Sequence, residues 1–122
     1  MDINQRHHIR VDYRQVIHLK TSTGLQLVAE TNNISVAGIG IICDRPTAGC
    51  IVPGGHHFNL NQAASLMVEF RLGDSSQSIC AACKVCNVHR LAEDSYGLNL
   101  EFIELNTPDK QCLDDFVSQQ SS

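Results

Sequence analysis

The chain has 122 residues, 43% of them apolar and 18% charged, with a formal net charge of −4. That length fits one domain with a modest core, and the acidic balance weighs against binding DNA or RNA through a broad basic face. No apolar run approaches the roughly 20 residues that cross a bilayer, and the start lacks a signal peptide's apolar stretch. Membrane insertion is therefore not expected, and the six cysteines are expected to be reduced thiols in a cytoplasmic protein rather than a disulfide framework.

Residues 1–10 carry neither a strand nor a helix pattern and read as a flexible arm. Period-two alternation then predicts a first strand near 11–22, where Ile17 and Leu19 alternate with His18 and Lys20. After the turn signal Thr23-Gly24 a second strand is predicted near 25–33, with Leu25, Leu27 and Ala29 on its apolar face, and a third near 37–43. The stretch 44–64 holds Pro46, Gly49, Pro53, Gly54 and Gly55, and reads as a connection longer than most in compact domains. A fourth strand near 65–72 sets Leu66, Val68, Phe70 and Leu72 against Met67, Glu69 and Arg71. Gly73-Asp74 and Glu93-Asp94 mark turns around a fifth strand near 78–90. In a sixth, near 95–105, Tyr96, Leu98, Leu100 and Phe102 face one way and Gly97, Asn99 and Glu101 the other. The period then changes to that of a helix over 107–120, with Thr107 as N-cap, Pro108 in the first position, Asp109 in the first turn and a stripe of Cys112, Leu113, Phe116 and Val117. The expectation is a single all-β domain over 1–122, a six-stranded antiparallel β-barrel at 11–105 closed by one C-terminal helix.

Two short motifs carry the functional signal: Arg6-His7-His8-Ile9-Arg10 before the first strand, and Asn33-Ile34-Ser35-Val36-Ala37-Gly38 between the second and third. A guanidinium fork matches phosphate oxygens and also the O6/N7 edge of guanine, so two nearby arginines can hold a guanine nucleotide. Asn33 and Ser35, two apart on an extended segment, are expected to project an amide and a hydroxyl from one face, and Gly38 lets the backbone turn or approach closely. Residues 1–20 hold Arg6, Arg10, Arg14 and Lys20 against Asp2 and Asp12, so a small anion would be met at that end.

On these motifs the chain resembles the PilZ domain family, whose members bind the bacterial second messenger cyclic di-GMP (c-di-GMP) through R-x-x-x-R and [D/N]-x-S-x-x-G. The late Tyr96-Gly97-Leu98-Asn99-Leu100-Glu101-Phe102 strand and the closing helix agree with that family's barrel. The resemblance implies that Arg6 and Arg10 contact phosphates and guanines, and that Asn33, Ser35 and Gly38 form the complementary wall. It implies a c-di-GMP receptor without enzymatic activity and without a cofactor, signalling to an unidentified protein effector when the ligand orders the arm. The alternative is a nucleotide-independent PilZ-like module of a motility or pilus complex. Gln5 stands where many members carry a further arginine, and Asn33 stands where many carry an aspartate.

Other clusters give weaker signals. Cys80, Cys83 and Cys86 show the spacing that begins an iron–sulfur run, but on a strand Cys83 faces away from the other two. His56-His57 falls in a loop and is assigned no role. Protonation of His7 and His8 would add positive charge inside the arginine motif, so binding is expected to tighten below neutral pH. No nucleophile elbow, H-E-x-x-H helix or Walker loop is present.

Overall fold

Each alternating segment has one apolar face to bury and one row of backbone groups to pair, and a sheet that closes on itself satisfies both. The computed structural model describes residues 9–52, 65–73 and 78–120. Among them the strands are β1 (Val11–Asp12), β2 (Val16–Thr21), β3 (Gln26–Ile34), β4 (Gly38–Cys43), β5 (Ser65–Arg71), β6 (Ser78–Ala92) and β7 (Ser95–Glu104). The sheet runs β1-β3-β2-β5-β6-β7-β4, and β3 also pairs with β4, so β2 to β7 form a closed six-stranded ring with β1 added beside β3. All neighbouring pairs are antiparallel. The expected barrel is thus present.

The barrel interior is filled by the inward faces that the alternation predicted, including Ile17, Leu19, Leu66, Val68, Phe70, Leu98 and Leu100. Leu25 is a correction: it precedes β3 in the turn and is 45% exposed, so the apolar face of that strand begins at half-buried Leu27. On β6, Cys83 is buried while Cys80 is exposed and Cys86 half-buried, the opposite-face arrangement expected of an extended strand.

Three elements differ from expectation. The first strand is broken, because Tyr13 turns into the core and Thr31 holds the interruption. The hydroxyl of Thr31 donates to the carbonyl of Tyr13 at 2.5 Å and accepts from the N–H of Gln15 at 2.9 Å. Secondly, the connection after β4 begins with a helix, α1 (Arg45–Ile51), which adds to the single helix expected. Asp44 caps it by accepting from the Thr47 N–H at 2.9 Å, Pro46 sits in its first turn, and Ala48 and Ile51 are buried. Residues 53–64, with the His56-His57 pair, lie outside the described residues. Thirdly, the C-terminal helix α2 (Thr107–Gln120) is capped by Asn106 and not Thr107, since Asn106 Oδ1 accepts from the Asp109 N–H at 2.8 Å. Its buried face is Asp109, Leu113 and Val117, and Cys112 is exposed.

An aromatic cluster ties α2 to the barrel. The Tyr13 ring meets Phe116 edge-on at 5.8 Å and Phe70 at 6.3 Å, and Phe70 stacks on Phe102 at 5.9 Å. The buried Tyr13 hydroxyl donates to the carbonyl of Arg71.

Burial keeps three acidic groups protonated: Cys83 and Tyr13 are each pushed up to about 12, and Cys43, also raised by the charge of Asp44, to about 11. The unfolded chain releases these protons nearer pH 9 for thiols and pH 10 for the phenol. Their contribution to stability is therefore intact below pH 9 and is lost as pH rises from 9 towards 12. Urea denaturation across this range should show Cys83→Ala flattening the decline from pH 9 upward, and Tyr13→Phe flattening it only above pH 10. A decline identical in all three proteins would contradict this assignment.

Candidate functional site

The site begins with an irregularity in β3. Thr31 pairs with Ile41 and Asn33 with Gly40, which leaves Asn32 as an extra residue with no counterpart on β4. A bulge of this kind reverses the alternation. Before it Ala29 and Thr31 point inward, and after it Ile34 does. Asn32 and Asn33 are left side by side over Gly40, with Asn33 Nδ2 donating to Asn32 Oδ1 at 3.2 Å. Gly40 is what gives them room: a Cβ there would lie 2.6 Å from Asn32 Oδ1 and 2.8 Å from Asn33 Oδ1.

Arg10 reaches this ledge from the N-terminal side. Its Nη1 donates to Asn33 Oδ1 at 2.5 Å, and the β1 pairing of Asp12 with Asn33 and Val11 with Ile34 fixes the backbone that carries it. The guanidinium and the ledge are therefore on the same side of the barrel. Arg6, His7 and His8 lie outside the described residues.

Ser35 differs from the expected outward projection. It follows the last residue of β3, is fully buried, and turns its hydroxyl onto its own turn, where Oγ accepts from the N–H groups of Ala37 at 3.1 Å and Gly38 at 3.2 Å. Ser35 thus shapes the loop between ledge and β4. Gly38 is required by close approach, because a Cβ there would run into the carbonyl oxygen of Leu100 on β7.

Arg10, Ser35, Ala37 and Gly38 line a cavity of about 370 Å³ whose other wall is Cys86 and Asn87 on β6 and Asn99, Leu100 and Glu101 on β7. Asn99 Nδ2 donates to Asn87 Oδ1 at 2.9 Å across the strand pair. Glu101 meets Lys84 Nζ at 3.3 Å, with both side chains about half exposed. The Cys86 thiol is raised, by burial first and then by the charge of Glu101, while Lys84 and Arg10 oppose the shift. Positive and negative groups therefore converge on this spot. Asn87, Asn99 and Glu101 were not singled out by the motifs, although alternation had turned Asn99 and Glu101 away from the core.

A larger groove of about 680 Å³ crosses the outer face of β2, β3 and β5, lined among others by His18, Lys20, Val28, Met67 and Glu69. Among the described residues, it is lined by no motif residue and no guanidinium. The smaller cavity is the candidate site. Among the described residues no cluster of three or more His, Cys, Asp or Glu side chains is arranged to hold a metal ion, and no helix is long and apolar enough to cross a membrane.

A small closed antiparallel barrel, with an arginine laid against a polar ledge on its outside, defines a recognisable class of domain. The PilZ domain model matches residues 4–119, and the chain belongs to the PilZ domain family. Solved structures with the same fold include Bacillus subtilis MotI/DgrA, an inhibitor of motility, at 16% identity and TM-score 0.68, with 95% of this chain matching 51% of that one. The PilZ domain of Escherichia coli YcgR with c-di-GMP matches at 9% identity and TM-score 0.65, covering 96% of this chain and 92% of that one. The K. pneumonia MrkH–c-di-GMP complex matches at 16% identity and TM-score 0.64, covering 93% and 51%. The chain thus spans about half the length of MotI and of MrkH. No curated protein matches.

The two glycines of the site predict different outcomes. Gly38→Ala drives a Cβ into β7 backbone and should cost about 2–3 kcal/mol or more, whereas Gly40→Ala meets side-chain amides that can rotate away and should cost about 1 kcal/mol or less. Chemical denaturation of the two variants checks this, and equal losses would mean that the β4–β7 approach is looser than described.

Proposed function

We propose that the chain is a receptor for c-di-GMP and not an enzyme, that Arg6, Arg10, Asn33, Ser35 and Gly38 build its binding site, and that it signals by presenting the liganded barrel to a protein partner. The observation that carries this reading is the contact between Arg10 and Asn33 beside the cavity that Arg10 lines. Membership of the PilZ family supports it, as do the c-di-GMP-bound YcgR domain and MrkH among proteins of the same fold.

The chemistry follows from the residue types. A dinucleotide with two phosphates brings two negative charges to a protein that is itself acidic, so local cations must outweigh the overall field. Arg10 supplies one planar fork, and Arg6, four residues earlier, would supply a second. Each fork can take a phosphate or the O6/N7 edge of a guanine. In this reading Asn33 holds Arg10 in place before the ligand arrives, which lowers the entropy lost on binding. Ser35 and Gly38 act by shaping the loop and allowing close approach. Charge-assisted bonds contribute about 1.5–3 kcal/mol each, so four or five, less the entropy lost on association, give an affinity in the micromolar range, about −8 kcal/mol. Binding draws the arm across the ledge, and the composite surface so formed is what the partner reads.

Calorimetric titration with c-di-GMP, using GTP and cyclic AMP as controls, tests the proposal. Micromolar binding is expected for c-di-GMP alone, and Arg10→Ala should weaken it roughly 10- to 150-fold, the loss of one charge-assisted bond. Unchanged affinity in that variant would remove Arg10 from the site. Absence of binding by the wild-type chain would leave the nucleotide-independent interaction module as the better account.

A further inference from the structure

We infer that Glu101 is a specificity-determining residue of this site, its carboxylate accepting the N1–H and 2-amino hydrogens of one guanine whose adjacent O6/N7 edge is taken by Arg10. The inference rests on the c-di-GMP reading above and adds to it a residue outside both motifs.

Geometry supplies the first argument. Glu101 and Arg10 line one cavity from opposite walls, Arg10 from the arm side and Glu101 from β7. The register places them: Gly38 pairs with Glu101 and Gly40 with Asn99, so the two β4 positions without side chains face the two β7 positions that carry polar ones. On the outer face, no β4 side chain therefore stands between the ledge and the β7 row. Beyond Asn99, the pairing Asn99–Asn87 and its amide hydrogen bond at 2.9 Å form a fixed polar floor. Cys86 lines the same cavity, and its thiol feels the charges of both Glu101 and Arg10.

Chemical matching supplies the second. Guanine is the base that offers two adjacent donors, N1–H and the 2-amino group, on one edge and two acceptors, O6 and N7, on the next. A carboxylate takes the paired donors in two parallel charge-assisted bonds, as a guanidinium takes the paired acceptors. Adenine has an acceptor at N1 and no 2-amino group, so it would face Glu101 with a lone pair against a negative charge. A carboxylate close to a dianionic ligand otherwise only repels it. Lys84, 3.3 Å from Glu101, offsets part of that repulsion and holds the side chain at the cavity edge.

The repulsion gives the test its sign. Glu101→Gln is nearly isosteric on a half-exposed side chain and should leave the urea midpoint of the apo-protein unchanged. Affinities of wild type and variant are measured by calorimetry for c-di-GMP and for cyclic di-IMP, the analogue lacking the 2-amino groups. Wild type should prefer c-di-GMP over cyclic di-IMP by about ten-fold, and the variant should bind c-di-GMP about ten-fold more weakly with that preference largely gone. If Glu101 is only a neighbouring anion, the substitution tightens both ligands equally or changes neither, and the inference fails while the receptor reading stands. If the wild-type chain binds neither ligand, the receptor reading falls and this inference falls with it.

Discussion

One extra residue in β3 governs the arrangement of everything around it. Asn32 has no partner on β4, and the alternation of the strand reverses across it. Without that reversal, the strand that buries Ala29 and Thr31 would also bury Asn33, and an amide would sit in an apolar barrel without a partner at the cost of a desolvated polar group. With it, Ile34 enters the core and the amides of Asn32 and Asn33 turn outward over Gly40. The same stretch acts on the other edge of the strand. There Thr31 holds the Tyr13–Gln15 interruption with its hydroxyl, and this sets the direction in which β1 carries Arg10 back to Asn33.

Stability and function are separated by this arrangement more than they first appear to be. The inward faces of six strands and the aromatic contacts of Tyr13, Phe70, Phe102 and Phe116 hold the barrel and α2 together in one continuous core. The polar residues of the cavity contribute little to that core. The exposed ion pair of Lys84 and Glu101 adds at most about 1 kcal/mol. Ser35 and Gly38 are the exceptions, since one closes the turn and the other admits β7 backbone. Changes at these two positions act on the fold as well as on any ligand, whereas changes at Arg10, Asn33 and Glu101 act at the surface.

Much of the barrel was legible because its signal is local: alternation in Ile17–Lys20, Leu66–Leu72 and Tyr96–Phe102 translates directly into inward and outward faces. Helix α1 was less legible, although Asp44 and Pro46 are proper start signals, because seven residues containing a glycine and only two buried positions show no helical period. The site was legible in part. Arg10, Asn33 and Gly38 announce themselves through motif spacing and resemblance. The placing of Ser35 did not follow, since extrapolating the period past Ile34 ignores the turn that ends the strand. Asn87, Asn99 and Glu101 belong to strands that reach the site only through barrel closure, and strand pairing between residues so far apart in sequence leaves no mark in a single chain.

The claim that the reversed strand and the β6–β7 wall together form the ligand surface is tested most directly by following backbone amide resonances during titration with c-di-GMP. The largest shifts are expected at Asn32 to Gly40 and at Asn99 to Glu101, with residues of the larger groove such as Val28 and Met67 unaffected. Shifts centred on Val28 and Met67, with Asn33 and Glu101 unmoved, would contradict it.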